Sequence, residues 1–285
     1  MKHAYLIMAH DQFLSLKELV SFLDDNRNDI YIHFDKKVKT LPELSTRFSK
    51  LEIIDNRVNV IWGDVSQIKA EYALYQASFK EGKYAYYHLI SGTHFPLKSN
   101  DNLHNWFEGC NGACVLRKVS LKDAEIQMRF GQYHFFMKHL VSRKKFVNKA
   151  YHLGWRMMLN IQKRLGIKRD TSFIKGKASQ WCSLNEDAVK HLLLNEKISL
   201  KRFRRSFCCD EFFVLSVIED AGIPVIYDDR ICFVEFRRTT PKKFTEVDLD
   251  RLLSSGALFF RKLIDANINL AKMIERTIMA EEYEA

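Results

Sequence analysis

Short apolar runs alternate with amphipathic segments along the first part of the chain. Residues 4–9 are almost entirely apolar, residues 13–23 repeat leucine and valine at helical spacing, and residues 30–35 form a second β-rich run. This period change from strand to helix and back predicts a strand, a helix and a second strand. A unit of about thirty residues with this order is typical of a parallel β-sheet with a crossover helix.

The same patterns predict elements along the remainder of the chain. Predicted strands are residues 51–54, 58–62, 84–90, 113–116, 224–227 and 231–236. Residues 176–184 have strand or loop character. Predicted helices are residues 66–79, 102–107, 187–194, 210–220 and most of the chain from 247 onward, whereas residues 91–97 are a predicted loop. Strands that alternate with helices predict an α/β fold with a mixed central sheet flanked by helices. We expect one domain over residues 1–285.

A basic segment stands out between residues 138 and 169. It holds ten Lys and Arg and no Asp or Glu, and thus equals the whole net charge of +10. Aromatic and aliphatic residues interleave with these cations, which predicts amphipathic helices. We interpret residues 118–172 as a basic helical insertion into the single domain. Its cations either form a solvated helix face or contact an anionic membrane surface, where each adds about 1 kcal/mol.

Composition restricts the class of protein. The chain has 285 residues, of which 47% are hydrophobic, so it can bury a substantial core. No apolar run approaches the roughly 18 residues of a membrane span, and the N-terminus reads as a strand, not a secretory signal. The six cysteines lack the paired spacing of a structural zinc site. We therefore expect reduced thiols in a cytoplasmic protein.

Several common motifs are absent. The chain has no GxGxxG, no GxxxxGK[ST], no GxSxG and no HExxH, which disfavours dinucleotide dehydrogenases, P-loop NTPases, α/β-hydrolases and zinc proteases. Asp248 and Asp250 form a DxD, the pattern with which many nucleotide-sugar enzymes hold a divalent metal. They stand at a predicted helix start with no strand before them, so helix capping explains them better.

Two adjacent carboxylates, Asp210 and Glu211, stand between apolar residues at the start of a predicted helix. Acids in the first turn favour the helix dipole by about 0.3–1 kcal/mol, and one acid satisfies that role. Capping accounts less well for the second acid, which is followed by two phenylalanines. Asp210 is the predicted helix-start residue, and Glu211 is the candidate for a carboxylate presented to a site.

Other candidates lie just after predicted strands, where ligands bind in parallel sheets. His10 and Asp35 follow the first two strands; Asp35 is either a turn acid beside solvated lysines or a carboxylate at the mouth of the sheet. Trp181 is either a core aromatic or part of the site. Arg261 and Lys262 are either a surface pair on a helix or a diphosphate clamp, since adjacent cations can give bidentate and point-charge contacts.

Together these features resemble the branching β-glycosyltransferases, which include the core-2 and I-branching N-acetylglucosaminyltransferases and the peptide O-xylosyltransferases. The resemblance runs from about residue 4 to residue 264 and is weakest in the basic segment. Seven motifs occur in the family's order: residues 4–10, 30–37, 60–63 with 70–71, 87–92 with 95–97, 179–181, 209–213 and 258–262. Their number and order identify the chain as a bacterial-looking member.

The resemblance implies a GT-A-like fold, a UDP-sugar donor, inversion at the anomeric carbon and no metal-binding DxD. It implies Glu211 as the catalytic base and Arg261 with Lys262 as the diphosphate clamp. By their positions in the motifs, the resemblance implies that His10, Asp35 and Trp181 bind the donor. It also implies a further donor-binding arginine, either Arg237 or, as we assign it, Arg238. The family's usual acid before Phe-Pro is replaced by His94, a departure in the loop that would handle the sugar.

We therefore expect an inverting, metal-independent transferase that moves a sugar, GlcNAc or xylose, from a UDP-sugar to a hydroxyl of a glycan or lipid-linked acceptor. No cofactor and no nucleic acid are expected. The absence of a signal or anchor suggests a cytoplasmic enzyme, with possible peripheral binding at the inner face of the membrane. A basic nucleic-acid-binding protein and a non-catalytic sugar-binding protein are the alternatives, the first from the pI of about 9.2.

Overall fold

A mixed sheet of seven strands forms the centre of the computed structural model, which describes residues 1–82, 84–139, 145–238 and 240–284. Its strands and those of two small sheets are β1 (His3–Ala9), β2 (Asn28–Phe34), β3 (Lys50–Ile53), β4 (Tyr86–Ser91), β5 (His94–Pro96), β6 (Cys114–Lys118), β7 (Ala178–Leu184), β8 (Val225–Tyr227), β9 (Phe233–Val234), β10 (Phe236–Arg237), β11 (Thr240–Pro241) and β12 (Phe259–Arg261). The helices are α1 (Phe13–Phe22), α2 (Ser66–Glu81), α3 (Asn100–Glu108), α4 (Asp123–Phe130), α5 (Lys145–Arg164), α6 (Glu186–Leu194), α7 (Glu196–Phe203), α8 (Asp210–Ile218), α9 (Leu249–Leu253) and α10 (Ile268–Glu284).

The strand order places the ends of several parallel strands at one edge. The order is β3-β2-β1-β4-β7-β6-β8; the first four are parallel, and β7 is antiparallel to both its neighbours. The register aligns Ala9 of β1 with Phe34 of β2, and Met8 with Ser91 of β4. The residues that follow these positions therefore meet at the edge where α/β sheets bind ligands.

Helices cover both faces of the sheet. On β1, Tyr5 and Ile7 contribute to one core with α1, α3 and α10, while Ala4 and Leu6 contribute to the other with α2, α6 and α8. Because both faces are buried, the strand reads as a continuous apolar run and does not alternate with polar residues. Burial of each large apolar side chain contributes about 1.5–3 kcal/mol. The α/β class and the flanked mixed sheet are confirmed.

Buried histidines lie within this frame. His3 Nδ1 and His88 Nε2 are 3.0 Å apart, the rings of His3 and His104 stack with centroids 4.0 Å apart, and His104 Nε2 lies 2.9 Å from Asn28 Oδ1. Burial lowers the pKa of His3 to about 3 and that of His104 to about 4, and it lowers the pKa of His88 well below its usual value. These rings are neutral at pH 7, which makes them acceptable in a core.

Several predicted elements differ from the structure. Residues 58–62 form no strand, because the Val58 N–H donates to His33 Nε2 at 2.9 Å and its carbonyl accepts from Lys36 N at 3.0 Å. The predicted loop 91–97 contains β5, and the predicted strand 231–236 is divided into β9 and the start of β10. Each difference arises from pairing with residues distant in the chain, which local patterns do not reveal.

The C-terminal prediction also required correction. The segment from residue 247 onward was expected to be mostly helix, yet β12 interrupts it. This strand is central in a three-stranded sheet, antiparallel to β5 and parallel to β9. Phe259 and Phe260 are 2% and 0% exposed, so packing against the core overrides the local helical pattern. The predicted surface pair on a helix is therefore wrong for Arg261 and Lys262.

The basic segment is mostly helical where the structure describes it, and its last residues, 165–169, are turn and coil. The helices α4 and α5 lie between β6 and β7, two strands that pair with each other in the sheet. Residues 140–144 of the basic segment lie outside the described residues. The expected amphipathic helix is confirmed by α5, while its assignment as an insertion into a single domain stays a prediction. Within the described chain, no helix is both long and apolar enough to cross a bilayer.

Candidate functional site

A cleft of about 520 Å³ opens at the edge where β1, β2 and β4 end. His10 and Asp35 follow β1 and β2, Trp181 comes from β7, Glu211 from α8, and Arg261 and Lys262 from the end of β12. All six line this cleft: His10, Asp35, Trp181, Glu211, Arg261 and Lys262. Residues that are up to 252 positions apart in the chain thus line one cleft. The fold brings together six of the seven predicted site residues.

The two acids of α8 have different surroundings. Asp210 is the first residue of α8, as predicted, and its Oδ2 accepts from Gln67 Nε2 at 3.1 Å. Burial raises the pKa of Asp210 to about 6, and the negative charge of Glu211 adds to the shift. The side chain of Glu211 is 36% exposed and reaches the cleft. Cys209, which precedes the pair, provides no side-chain cap to the helix.

Glu211 is held by two cations. Its Oε2 accepts from Arg129 Nη1 at 3.0 Å and lies 3.4 Å from Lys177 Nζ. Both cations also contact Glu125, Arg129 at 2.8 Å and Lys177 at 2.9 Å. The side chains of Arg129 and Lys177 are only 15% and 11% exposed, so solvent screens this network weakly. Two acids and two cations give a neutral cluster that fixes the Glu211 carboxylate.

Three further cations lie in the cleft. Arg117, Arg261 and Lys262 line it, and among the described residues none of the three forms an ion pair with an acid. The Arg261 guanidinium lies 5.0 Å from the centre of the Trp181 ring, a cation–π arrangement. Its Nε is buried without a hydrogen-bond partner. Trp181 is half-buried and serves as a platform for this cation.

Burial affects both adjacent cations. It lowers the pKa of the Arg261 guanidinium and that of the Lys262 ammonium, and the charge of Arg261 lowers the pKa of Lys262 further. Cations that are removed from water and lack an acid partner are energetically unfavourable. An anion bound in the cleft would relieve this repulsion. The arrangement is thus suited to a ligand with concentrated negative charge, such as a diphosphate.

Asp35 also lines the cleft and is 6% exposed. It forms a local turn: its Oδ1 accepts from Lys37 N at 2.9 Å, and its Oδ2 lies 3.0 Å from Lys37 Nζ. Arg57 donates to the carbonyl oxygens of Phe34 and Asp35 at 3.1 and 2.8 Å, which fixes the backbone. The carboxylate therefore combines both interpretations: it is a turn acid, and it faces the cleft.

Arg238 and His94 occupy different positions from the other candidates. Arg238 is exposed beside the turn that joins β10 to β11 and does not line the cleft. His94 is fully buried behind the cleft; its Nδ1 accepts from Ser91 N at 3.0 Å, and its ring meets Trp181 edge-on at 5.0 Å. Burial and the nearby Arg261 lower the pKa of His94 well below its usual value. The neutral ring therefore supports the Trp181 platform.

The DxD residues have a structural role. Asp248 accepts from Thr245 N at 3.1 Å in a capping box, and it pairs with Lys242 at 2.6 Å and Arg251 at 2.8 Å. This confirms the capping interpretation. Among the described residues, no group of three or more His, Cys, Asp or Glu is arranged to hold a metal ion.

Sequence reasoning missed several residues of the site. Arg117 directly follows the predicted strand 113–116, and that position was the available signal. Gln180 was part of a quoted motif; its Nε2 donates to the fully buried Glu71 at 2.8 Å. Burial raises the pKa of Glu71 well above its usual value, so a neutral acid supports Gln180 from behind. Arg129 and Lys177 carried no local signal, because only the folded chain brings them to Glu211.

Comparison with known proteins identifies the family of the chain. The family model of the core-2/I-branching enzymes matches residues 3–225. The chain belongs to the core-2/I-branching enzyme family. The predicted GT-A-like α/β fold fits this membership. Membership of the family implies a glycosyltransferase with a sugar donor and a glycan acceptor.

A similar solved structure is the crystal structure of mouse xyloside xylosyltransferase 1 in its apo form. The two chains share 9% sequence identity, and the match covers 91% of this chain and 96% of the mouse chain with a TM-score of 0.39. No curated protein sequence matches the chain.

Proposed function

We propose that this protein is an inverting glycosyltransferase that moves GlcNAc or xylose from a UDP-sugar to a hydroxyl of a glycan or lipid-linked acceptor, with no divalent metal. The observation that carries the proposal is that one cleft holds a carboxylate, Glu211, and two adjacent cations, Arg261 and Lys262, that form no ion pair with any acid in the described part of the chain. A direct displacement needs a base at the attacking hydroxyl and cations at the leaving UDP.

The cation pair supports binding of the donor diphosphate. As the bond between the anomeric carbon and the phosphate oxygen breaks, negative charge develops on the leaving UDP. Arg261 offers a planar donor fork and Lys262 a compact charge, and both are already desolvated before the ligand binds. Fixed cations aimed at this charge perform the function that a metal ion has in other transferases.

Glu211 is the proposed general base. Its carboxylate takes the proton of the acceptor hydroxyl while the hydroxyl oxygen forms the new bond to the anomeric carbon from the face opposite UDP. General base catalysis of this kind contributes roughly 10²–10⁴-fold to the rate. Arg129 and Lys177 restrict the carboxylate to one orientation, which reduces the reorganisation needed in the transition state.

The nucleoside is assigned to the side of the cleft that carries Asp35 and His10. The Asp35 carboxylate has lone pairs beyond those used by Lys37 and can accept from a ribose hydroxyl or a base N–H. His10 is exposed at the rim beside Asp11, with His10 Nε2 3.5 Å from Asp11 Oδ1. Trp181 lines the same cleft and contacts Arg261, so it can contact the donor while supporting the clamp.

The test uses protein treated with EDTA, with UDP-GlcNAc and UDP-xylose as donors and UDP release as the readout. We expect turnover with one donor to survive chelation, and Glu211→Gln to lower kcat by roughly 10²–10⁴-fold while UDP still raises the melting temperature. Glu219→Gln, an exposed acid after the end of α8, is the matched control. Activity that EDTA abolishes and Mn²⁺ restores would refute the metal-free proposal, and near-normal turnover by Glu211→Gln would exclude it as the base.

The proposal places the enzyme in the cytoplasm with peripheral binding at the inner face of the membrane, where a lipid-linked acceptor is presented. The feature that favours this location over a free glycan acceptor is the excess of cations in residues 138–169. Measuring transfer to a water-soluble glycan and to a lipid-linked acceptor in vesicles, with the same donor, distinguishes the two acceptor classes.

A further inference from the structure

The α5 helix presents an apolar row to solvent. Phe146, Leu153, Met157 and Ile161 are exposed by 89%, 62%, 54% and 44%. At 3.6 residues per turn these four side chains fall within an arc of roughly 80°. Folded proteins rarely leave a contiguous row of this kind uncovered unless it contacts a partner or a membrane.

The opposite side of α5 anchors the helix to the protein. Trp155 Nε1 donates to His134 Nδ1 at 3.1 Å, and Gln162 exchanges hydrogen bonds with the backbone of Tyr133, both at 2.8 Å. Trp155 lies roughly 160° around the helix from Met157. The apolar row therefore points away from the body of the protein, and no described element packs over it.

Cations border this row. Lys149, Arg156 and Lys163 are exposed and follow one edge of it, and no Asp or Glu occurs between residues 138 and 169. Beyond the end of α5, a groove of about 660 Å³ adds the exposed cations Lys201 and Arg205. Tyr133 lines that groove and also contacts α5, so the helix and the groove form one continuous surface.

We propose that α5 is an interfacial helix that docks this protein on an anionic lipid bilayer. The apolar row enters the boundary between headgroups and acyl chains, while the bordering cations contact the headgroups, an arrangement typical of interfacial amphipathic helices. A second copy of the chain fits less well, because two such faces in contact would bring cations against cations with no acid to pair with them. Nucleic acid would use the cations and leave the apolar row exposed.

This surface is connected to the cleft. The Trp155 ring packs on Phe207 with centroids 5.7 Å apart, and Phe207 in turn contacts Trp62, also at 5.7 Å. Trp62 lines the cleft and is 58% exposed, and Glu211 follows Phe207 by four residues in the sequence. Docking through α5 would thus hold the rim of the cleft near the bilayer. The link between docking and a lipid-linked acceptor rests on the proposed function, whereas the docking of α5 on a bilayer does not.

Flotation with vesicles tests the docking without any donor sugar. One vesicle is phosphatidylcholine mixed with phosphatidylglycerol, and the other is phosphatidylcholine alone. Each apolar side chain contributes about tenfold or more to partitioning, so Leu153→Ser with Met157→Ser should bind the mixed vesicles about 100-fold more weakly. The matched control, Val247→Ser with Met279→Ser, changes side chains that are 93% and 57% exposed elsewhere and should float as the wild type does.

A second variant tests the charge. Replacing Lys149 and Arg156 by glutamine should weaken binding to the mixed vesicles by about fivefold per residue and reduce its sensitivity to salt. All four changes of the two α5 variants lie on exposed positions, and unchanged melting temperatures verify that they fold.

Absence of flotation, or flotation of the Leu153 and Met157 variant equal to wild type, would overturn the proposal. Concentration-dependent dimers that this variant abolishes would overturn it as well, because the face would then serve a second copy. Transfer to a soluble glycan is unaffected by these outcomes, so failure of docking and failure of the proposed transferase activity are separable.

Discussion

Arg261→Met separates ligand binding from folding in this site. The Arg261 guanidinium is buried, and within the described ranges it has no acid partner and its Nε has no hydrogen bond. Methionine keeps much of the aliphatic length over Trp181 and removes the desolvated charge beside Lys262. Because the charge opposes folding in the absence of ligand, we expect the free energy of unfolding of the free protein to be unchanged or to rise, by about 0.5–2 kcal/mol.

The response to UDP should change in the opposite direction. At a UDP concentration 100 times its Kd, ligand binding stabilises the wild type by about 2.7 kcal/mol. Each hydrogen bond to a charged group contributes about 1.5–3 kcal/mol, so loss of a bidentate contact weakens UDP binding by at least about 100-fold. The same UDP concentration then lies near the Kd of the variant and stabilises it by only about 0.4 kcal/mol.

The assay combines urea unfolding with thermal melting, each with and without UDP. Arg276→Met, an exposed arginine on α10, is the control and should leave both quantities unchanged. A variant at Arg261 that loses stability when free and keeps the full response to UDP would refute the reasoning. That result would mean that Arg261 is a structural cation and that the diphosphate binds elsewhere.

Three further predictions concern the surroundings of the site. Gly63 has φ +75, and a Cβ added there would meet an aromatic carbon at 3.1 Å. In urea unfolding, Gly63→Ala should therefore lower the unfolding free energy by at least about 1–2 kcal/mol. Gly82→Ala, where an added Cβ meets open space, should not. Arg129→Gln should lower kcat by roughly 10–100-fold in steady-state assays with little change in donor KM, because Glu211 loses one of the two cations that hold it. Arg129→Lys should restore part of the rate, and a change in KM alone would contradict the prediction. Urea unfolding should show stability falling as pH drops below about 6.5, by at most about 1.4 kcal/mol per pH unit for each buried histidine, because the unfolded chain binds protons that the folded chain refuses. Asp210 and Glu71, whose pKa values are raised by burial, each oppose this by at most one proton. A flat profile would show that the histidines are charged in the fold; the six buried histidines are His3, His33, His88, His94, His104 and His134.

Local patterns were sufficient for the parallel part of the sheet. The strands β1, β2 and β4 are buried on both faces, so each leaves a continuous apolar run that ends at a polar residue. The same strand ends predicted His10 and Asp35 as site candidates, and the two residues lie at one edge of the sheet because β1 and β2 finish in register. Motif order then supplied the family, which spacing alone does not identify.

The remaining errors have a common physical origin. The strand β12 carries Phe259 and Phe260, whose local pattern is compatible with a helix, and its partners β5 and β9 lie far away in the chain. Similarly, Arg129 and Lys177 reach Glu211 from positions 82 and 34 residues earlier in the sequence. Interactions that depend on tertiary pairing leave no periodic signal in a single sequence.

The misassigned strand and the function of the site are connected. A charged pair at the end of a predicted surface helix would remain hydrated and would gain little from binding an anion. On β12, the core packing of Phe259 and Phe260 instead forces Arg261 and Lys262 into a half-buried cleft before any ligand is present. Part of the folding free energy thus keeps two cations desolvated and repelling each other, and binding of a diphosphate releases that energy. The feature that the sequence pattern described least well is therefore the one on which the proposed diphosphate binding depends.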